Sequence, residues 1–289
     1  MDLRSVSRVP RVDRIKVTMA PNPDIQIEGA PLSSRRMTGA DSDPGQRLVE
    51  LYMKWFDVTA ASTPSLLEKS YRIRYQVYCM ETGFEDKNEF PDGLERDEYD
   101  DRAPASLLIH KPSSSVAGTV RLILPDASTP DAPGLPASRI SEDIRELFDT
   151  GTLPVKTTAE ISRFSISKEF RKREEDSLIP ALYENSGAPG DKRVIPHITL
   201  GLMQAIVRMS KEQGMTHLCV LMEPALDRLI RKLGIYFTPI GPILDYHGRR
   251  RAYYCDNVML AADILRRRPE IWDVLSDGRR IVAAPRNAG

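Results

Sequence analysis

Residues 83–101 read GFEDKNEFPDGLERDEYDD, and their last ten positions carry six carboxylates and one arginine. Charge runs ordinarily mark solvated faces. Here Phe84, Phe90, Leu94 and Tyr99 punctuate the run, and Pro91 and Gly93 set turns within it. The pattern predicts an ordered loop that holds its carboxylates in fixed places. Carboxylates so held bind cations: a guanidinium, an ammonium or a substrate amine. Metal chemistry is not expected, because the four histidines lack cysteine or carboxylate partners at ligand spacing. His197 reads as a helix-start cap or packing residue, and DYHGRR (245–250) as a turn.

An acidic loop needs a folded body to hold it. The chain has 289 residues, 41% of them hydrophobic, and 41 basic residues balance 41 acidic ones. This is enough for one large domain or two small ones. Global charge offers nothing to nucleic acid or to an anionic membrane, so any basic site is local. No apolar run is long enough to span a membrane, and the N-terminus lacks a signal-peptide core. A cytoplasmic location follows as the expectation. Cys79, Cys219 and Cys255 lie far apart in apolar segments and read as packing residues.

Residues 1–45 show no sustained periodicity and are expected to be a disordered leader, followed by a single domain over 46–289. Leu48, Leu51, Tyr52, Trp55 and Phe56 recur at helical spacing. A second helix starts after Thr63, which can cap it while Pro64 takes the first helical position; it is expected to run to about Met80. PASLLIH (104–110) and VAGTVRLIL (116–124) pattern as a hairpin. A short helical stretch over 138–149 precedes AEISRFSI (159–166), whose imperfect alternation suggests a central strand with one irregularity. Residues 168–195 look like an insertion. A strongly amphipathic helix over 198–213 ends at Gly214, and the stripe Leu200, Met203, Ile206 and Val207 is expected to be core. THLCVLM then reads as a buried strand, EPALDRLIRKLG as a helix whose free N-terminal amides can bind anions, and IYFTPIG and RAYYCDNVML (251–260) as strands.

Seven ordered blocks, counting EISRF and the FSISKEFRKR that continues it as one, are spread over roughly residues 64–275 and carry a resemblance. YRIRYQVYCMETGF, FPDGLERDEYD, GTVRLILP and EISRF resemble the blocks of acyl-homoserine lactone autoinducer synthases and N-acyl amino acid synthases, both in the GNAT superfamily. FSISKEFRKR, GLMQAIV, MEPALDRLIRKLG, PIGPILDYHG and Trp272 bring the chain closer still to the PEP-CTERM/exosortase system-associated acyltransferases. The resemblance implies a GNAT-like acyltransferase fold of the α/β (α+β) class, a strongly bent mixed sheet flanked by helices. An acyl thioester and an amine would meet near its splayed central strands.

The same resemblance implies the site. It assigns substrate binding to Arg74, Phe84, Asp97, Asp100, Arg121 and Arg163, and catalysis to Glu160 and Ser162. Tyr78 and Phe84 stand where those synthases carry phenylalanine and tryptophan around S-adenosylmethionine, a departure that disfavours this co-substrate. FRKREED stands where a coenzyme A pyrophosphate loop would be glycine-rich. The expected donor is therefore an acyl carrier protein rather than acyl-CoA, with Arg171, Lys172 and Arg173 facing its acidic surface. No other cofactor is expected.

Each role has a structural alternative. Asp97 and Asp100 among Arg74, Arg121 and Arg163 either shape an amine pocket or only fix the loop; Glu95 and Glu98 are assigned to solvent. Aminolysis of a thioester needs a neutral amine, whereas an α-ammonium of pKa about 8 is roughly nine-tenths protonated at pH 7. Glu160 is the candidate base, or else an arginine's salt-bridge partner. Ser162 has no histidine near it in sequence to make it a nucleophile. The expected activity is acyl transfer to an amino acid or similar small amine. The alternatives are lactone synthesis from S-adenosylmethionine and a catalytically idle binding module.

Overall fold

A computed structural model describes residues 44–129, 134–170 and 197–278. The predicted leader through residue 43 and residues 171–195 of the predicted insertion lie outside them. Helix α1 (Pro44–Trp55) buries Tyr52 and runs into strand β1 (Phe56–Ala60). Helix α2 (Pro64–Arg74) starts as its sequence dictates: Pro64 fits the first turn, and the Leu66 amide donates to Thr63 Oγ1. It does not stay α-helical to Met80. From Tyr75 to Glu81 the chain widens into a π-helical segment, and Thr82 closes it by donating to the Val77 carbonyl. The wider turn redirects Tyr78 toward the sheet's cleft, a placement that periodicity cannot signal.

The predicted hairpin is β2 (Ala105–His110) and β3 (Ser115–Ile123). The helical stretch after it is two helices, α3 (Pro136–Ile140) and α4 (Glu142–Asp149), divided at Ser141, which caps the second through the Ile144 amide. Strand β4 (Thr158–Ile166), helix α5 (His197–Glu212), strand β5 (His217–Met222) and helix α6 (Pro224–Lys232) follow. Strand β6 (Thr238–Asp245) begins three residues later than the sequence suggested. Strand β7 (Arg249–Asp256) ends earlier, because Asp256 accepts from the Val258 and Met259 amides and starts helix α7 (Asn257–Arg267). Helix α8 (Pro269–Leu275) carries Trp272. Among the described residues no helix is long and apolar enough to cross a membrane.

The strands form one mixed sheet in the order β1-β2-β3-β4-β5-β7-β6. Its central pair, β4 and β5, is parallel and joined over only Thr158↔His217, Ala159↔Leu218 and Glu160↔Cys219. Beyond that rung β5 stays paired with β7 while β4 stays with β3, so the sheet opens in its middle.

Alternation along the strands assigns their faces. Ala159, Ile161, Leu218, Val220 and Met222 pack with Leu200, Met203 and Ile206 of α5 on the back of the sheet. Cys219 and Leu221 pack with Leu135 and the α4 residues Ile144 and Phe148 on the front. The irregularity predicted in β4 is a bulge: its pairing with β3 shifts register between Thr119 and Arg121, and Arg163 takes a positive φ of 52°. Strict alternation would put Ile161, Arg163 and Ser165 on one face. The bulge instead turns Arg163 to the acidic loop and lets Phe164 and Ile166 rejoin Ile161 against the apolar back.

Candidate active site

The acidic loop and three strand or helix arginines interlock at the front of the opening. Arg74 Nε donates to Glu95 Oε2 at 2.5 Å, and its Nη1 and Nη2 reach the two Asp100 oxygens at 2.6 and 3.0 Å. Arg121 forks onto Asp97 with two contacts of 2.6 Å and touches Asp100 at 2.7 Å. Arg163 donates to Glu95, Glu85 and Asp97 at 2.9, 3.0 and 3.2 Å, and its guanidinium lies 4.8 Å over the Tyr78 ring. Arg74 and Arg121 are 0% and 2% exposed, so they survive as buried cations only because each is paired.

Burial alone would raise the carboxylates. Hydrogen bonds and charge from Arg74, with the charge of Arg121, override it and hold Asp100 down at about 2. Arg121 likewise lowers Asp97, and Arg74 with Arg163 lowers Glu95. Glu95 corrects the sequence reading: it is not solvated but 0% exposed and joins two arginines, whereas Glu98 is solvated as expected. Nothing in the local pattern separates these glutamates three residues apart. Glu85 was not anticipated either. With it, four carboxylates face three guanidiniums, leaving one negative charge for a further cation.

Glu160 sits on the same front face, at the last paired rung. The Ala137 amide, in the first turn of α3, donates to its Oε2 at 2.7 Å. Burial raises its carboxyl to about 7, against the opposing pull of that amide and of the Arg121, Arg163 and Arg102 charges. Ser162 lies two residues on, its Oγ 3.5 Å from Arg121 Nη2. Phe84 meets the β6–β7 turn, its ring edge-on to His247 with centroids 5.4 Å apart and Arg250 above it. His247, at φ 47°, and Gly248 form that turn as expected. His197 is buried against Phe56, and burial lowers it to about 4. Arg171, Lys172 and Arg173 lie outside the described residues. Among the described residues no cluster of histidine, cysteine and carboxylate could hold a metal ion.

One cavity of about 820 Å³ connects these groups, a volume suited to a small ligand. Its front is polar and lined by Glu95, Asp97, Glu160, Ser162, Arg163 and Tyr246. Through the opening between β4 and β5 it reaches a back chamber walled by Phe164, Ile166, Met203, Ile206, Leu226 and Phe237. Met203 and Ile206, expected to be core alone, therefore also line the cavity. Such an arrangement can hold an ammonium at the front, remove its proton, and bury an apolar chain behind the sheet.

Residues 73–180 match the model of the Acetyltransferase (GNAT) domain. The chain is 25% identical over 178 residues to an acyl-homoserine-lactone synthase of Rhizobium radiobacter, covering 61% of this chain and 71% of that one. Among solved structures it is similar to FeeM, an N-acyl amino acid synthase from uncultured soil microbes, at 20% identity and a TM-score of 0.49, over 73% of this chain and 94% of that one. It is similar also to the acyl-homoserine lactone synthase LasI, at 19% identity and a TM-score of 0.48, over 73% and 95%.

Proposed function

We propose that this chain, which carries a GNAT domain and is homologous to acyl-homoserine lactone synthases, is an N-acyltransferase that moves a fatty acyl group from acyl carrier protein to the amino group of an amino acid or similar small amine. The observation that carries this reading is a cleft continuous through the β4–β5 opening, with Glu160 and the ionic network in front and an apolar chamber behind.

In this reading the ammonium is drawn to the front chamber by its residual negative charge. The Glu160 carboxylate, near pH 7 in its affinity for protons, takes one from the ammonium. The freed nitrogen lone pair attacks the thioester carbonyl carbon and forms the C–N bond. As the tetrahedral species collapses the C–S bond breaks, and the thiolate leaves with the proton shed by the nitrogen. No acyl-enzyme is required. Ser162 and Arg121 serve as hydrogen-bond donors beside the reacting carbonyl, while Arg74, Asp97 and Asp100 hold the pocket's shape.

The choice of carrier protein over coenzyme A is supported by the sequence, which places FRKREED and its Arg171, Lys172 and Arg173 where a glycine-rich pyrophosphate loop would stand. The blocks FSISKEFRKR, GLMQAIV, MEPALDRLIRKLG and PIGPILDYHG, with Trp272, support kinship with exosortase-associated acyltransferases. A second reading, lactone formation from S-adenosylmethionine, is favoured by the 25% identity to the Rhizobium radiobacter synthase and opposed by Tyr78 and Phe84.

The test is to incubate purified protein with acyl carrier protein thioesters, with acyl-CoA, and with amino acids or S-adenosylmethionine, and to identify products by mass spectrometry. N-acyl amino acids formed by wild type and not by Glu160→Ala are expected. Acyl lactones would select the second reading, and absence of any acyl amide would overturn both.

A further inference from the structure

Arg102 closes the 3-10 turn Asp100–Arg102 at the end of the acidic block, and its guanidinium grips backbone. Its Nη1 donates to the Leu124 carbonyl, just past β3, and its Nη2 to the Gly134 carbonyl at 2.6 Å, two residues before α3. The Leu124 amide donates back to the Arg102 carbonyl at 3.2 Å, and the guanidinium carbon lies 5.3 Å from the centre of the Tyr99 ring. One side chain thus joins the acidic loop, the end of β3 and the entry to α3. The entry is tight: Gly134 has φ 61°, and an added Cβ would lie 2.7 Å from Asp126 Cβ. Between the carbonyl that Arg102 holds and the Ala137 amide that donates to Glu160 stand only Leu135, wholly buried, and Pro136, whose ring fixes φ. Little slack remains between Arg102 and Glu160. Arg139 of α3 adds a second tie by donating to Tyr99 Oη at 3.1 Å.

We propose that Arg102 is a positioning residue for the transfer reaction: by gripping the Leu124 and Gly134 carbonyls it holds the Ala137 amide on Glu160, and so sets how readily that carboxylate takes the amine's proton. The assignment rests on the reading of Glu160 as the base. An amide that donates to a carboxylate favours its ionised form, and the positive charge of Arg102 acts in the same direction. Releasing the grip therefore makes Glu160 keep its proton to higher pH. The other groups that face Glu160 are Arg121 from β3, Arg163 from β4, Tyr99 from the acidic loop, Cys219 from β5 and Tyr246 from the β6–β7 turn. Arg121 and Arg163 are held by Asp97, Asp100, Glu95 and Glu85 rather than by Arg102. Because Arg102 follows Asp100 in one turn, a loop ordered by the ionic network brings the base its hydrogen-bond donor.

The experiment titrates the Glu160 carboxyl by carbon NMR of glutamate-labelled protein, its signal identified by its loss in Glu160→Gln, and then measures kcat against pH at saturating donor. In Arg102→Gln the midpoint should rise by about 0.5 to 1 pH unit, the ordinary worth of one hydrogen bond. With the wild-type carboxyl near 7, kcat at pH 7 should fall about 2- to 5-fold and recover by about pH 9, with KM for the amine little changed. Arg102→Lys keeps the charge but not the fork, so it should move the midpoint the same way. Placed in the Glu160→Gln protein, Arg102→Gln should leave the pH profile as it was. An unmoved midpoint in either folded variant would overturn the assignment, and a wild-type midpoint in Arg102→Lys alone would give the effect to charge instead. So would an equal loss of rate at every pH, or the same loss without Glu160, since both belong to a residue that only supports the fold. Because the titration is read without turnover, a raised midpoint in a protein that acylates no amine would overturn the acyltransferase reading and leave the hold of Arg102 on Glu160 in place.

Discussion

Glu160 and Cys219 form the last rung between β4 and β5, and the sheet parts immediately beyond them. The carboxylate thus lies where two strands still fix its backbone and where the cleft begins. Cys219, its partner across the rung, is wholly buried. Position, rather than an arginine, sets the chemistry of Glu160: burial holds it near 7, close to the pKa of the amine it would serve.

Glu160→Gln keeps size and can still accept from the Ala137 amide, yet it cannot take a proton. Its kcat near neutrality should fall by about 10² to 10⁴. The wild-type rate should rise with pH through about 7 as Glu160 ionises, and that limb should vanish in the variant, leaving only the rise set by the amine near pH 8. Initial rates at saturating donor across pH test this; parallel profiles would remove Glu160 from proton transfer.

The same substitution should change stability in the opposite sense. A carboxyl raised from 4.5 to about 7 binds more protons folded than unfolded between those values, so wild type loses stability as pH rises through that window. The shift corresponds to about 3 kcal/mol. Glu160→Gln should therefore melt higher than wild type above pH 7 and alike below pH 4.5. Calorimetry at both ends decides it.

Glu95→Ala removes one partner from the buried Arg74 and the half-buried Arg163 guanidinium, which should cost about 3 to 5 kcal/mol. Glu98→Ala, three residues on and exposed, should stay within about 0.5 kcal/mol of wild type. Denaturant midpoints compare them; equal midpoints would mean that the network contributes nothing to holding the loop.

Acid should undo the network from the other side. Asp100, held down at about 2 against its usual 3.8, contributes about 2 kcal/mol that is present above pH 4 and lost as pH falls toward 2. Asp100→Asn should flatten this acid limb. An unchanged limb would assign acid unfolding to other carboxylates.

Gly118 pairs with Ile166 just past the bulge, and an added Cβ would lie 2.7 Å from the Ser165 carbonyl oxygen and 3.2 Å from Leu202. Gly118→Ala should cost about 1 to 3 kcal/mol and lower activity by displacing Phe164 and Ile166 from the back chamber. Full activity at unchanged melting temperature would show that β4 shifts there freely.

Local rules carried much of this protein. Thr63 and Pro64 start α2, Gly214 stops α5 at φ 66°, and the broken alternation of ISRFSI marks the β4 bulge, because caps, stops and strand faces depend on neighbours a few residues away. The resemblance of YRIRYQVYCMETGF, FPDGLERDEYD, GTVRLILP and EISRF to the blocks of autoinducer synthases, rather than any local rule, grouped Arg74, Asp97, Asp100, Arg121, Glu160 and Arg163. What sequence could not separate was Glu95 from Glu98, or core from cavity wall at Met203 and Ile206. Glu95 is buried because Arg74, 21 residues before it, and Arg163, 68 residues after it, converge on it. Met203 and Ile206 face a cavity because β4 and β5, joined by three rungs and then released, leave space above them. Both facts depend on where distant segments end up relative to each other, and only the folded sheet decides that.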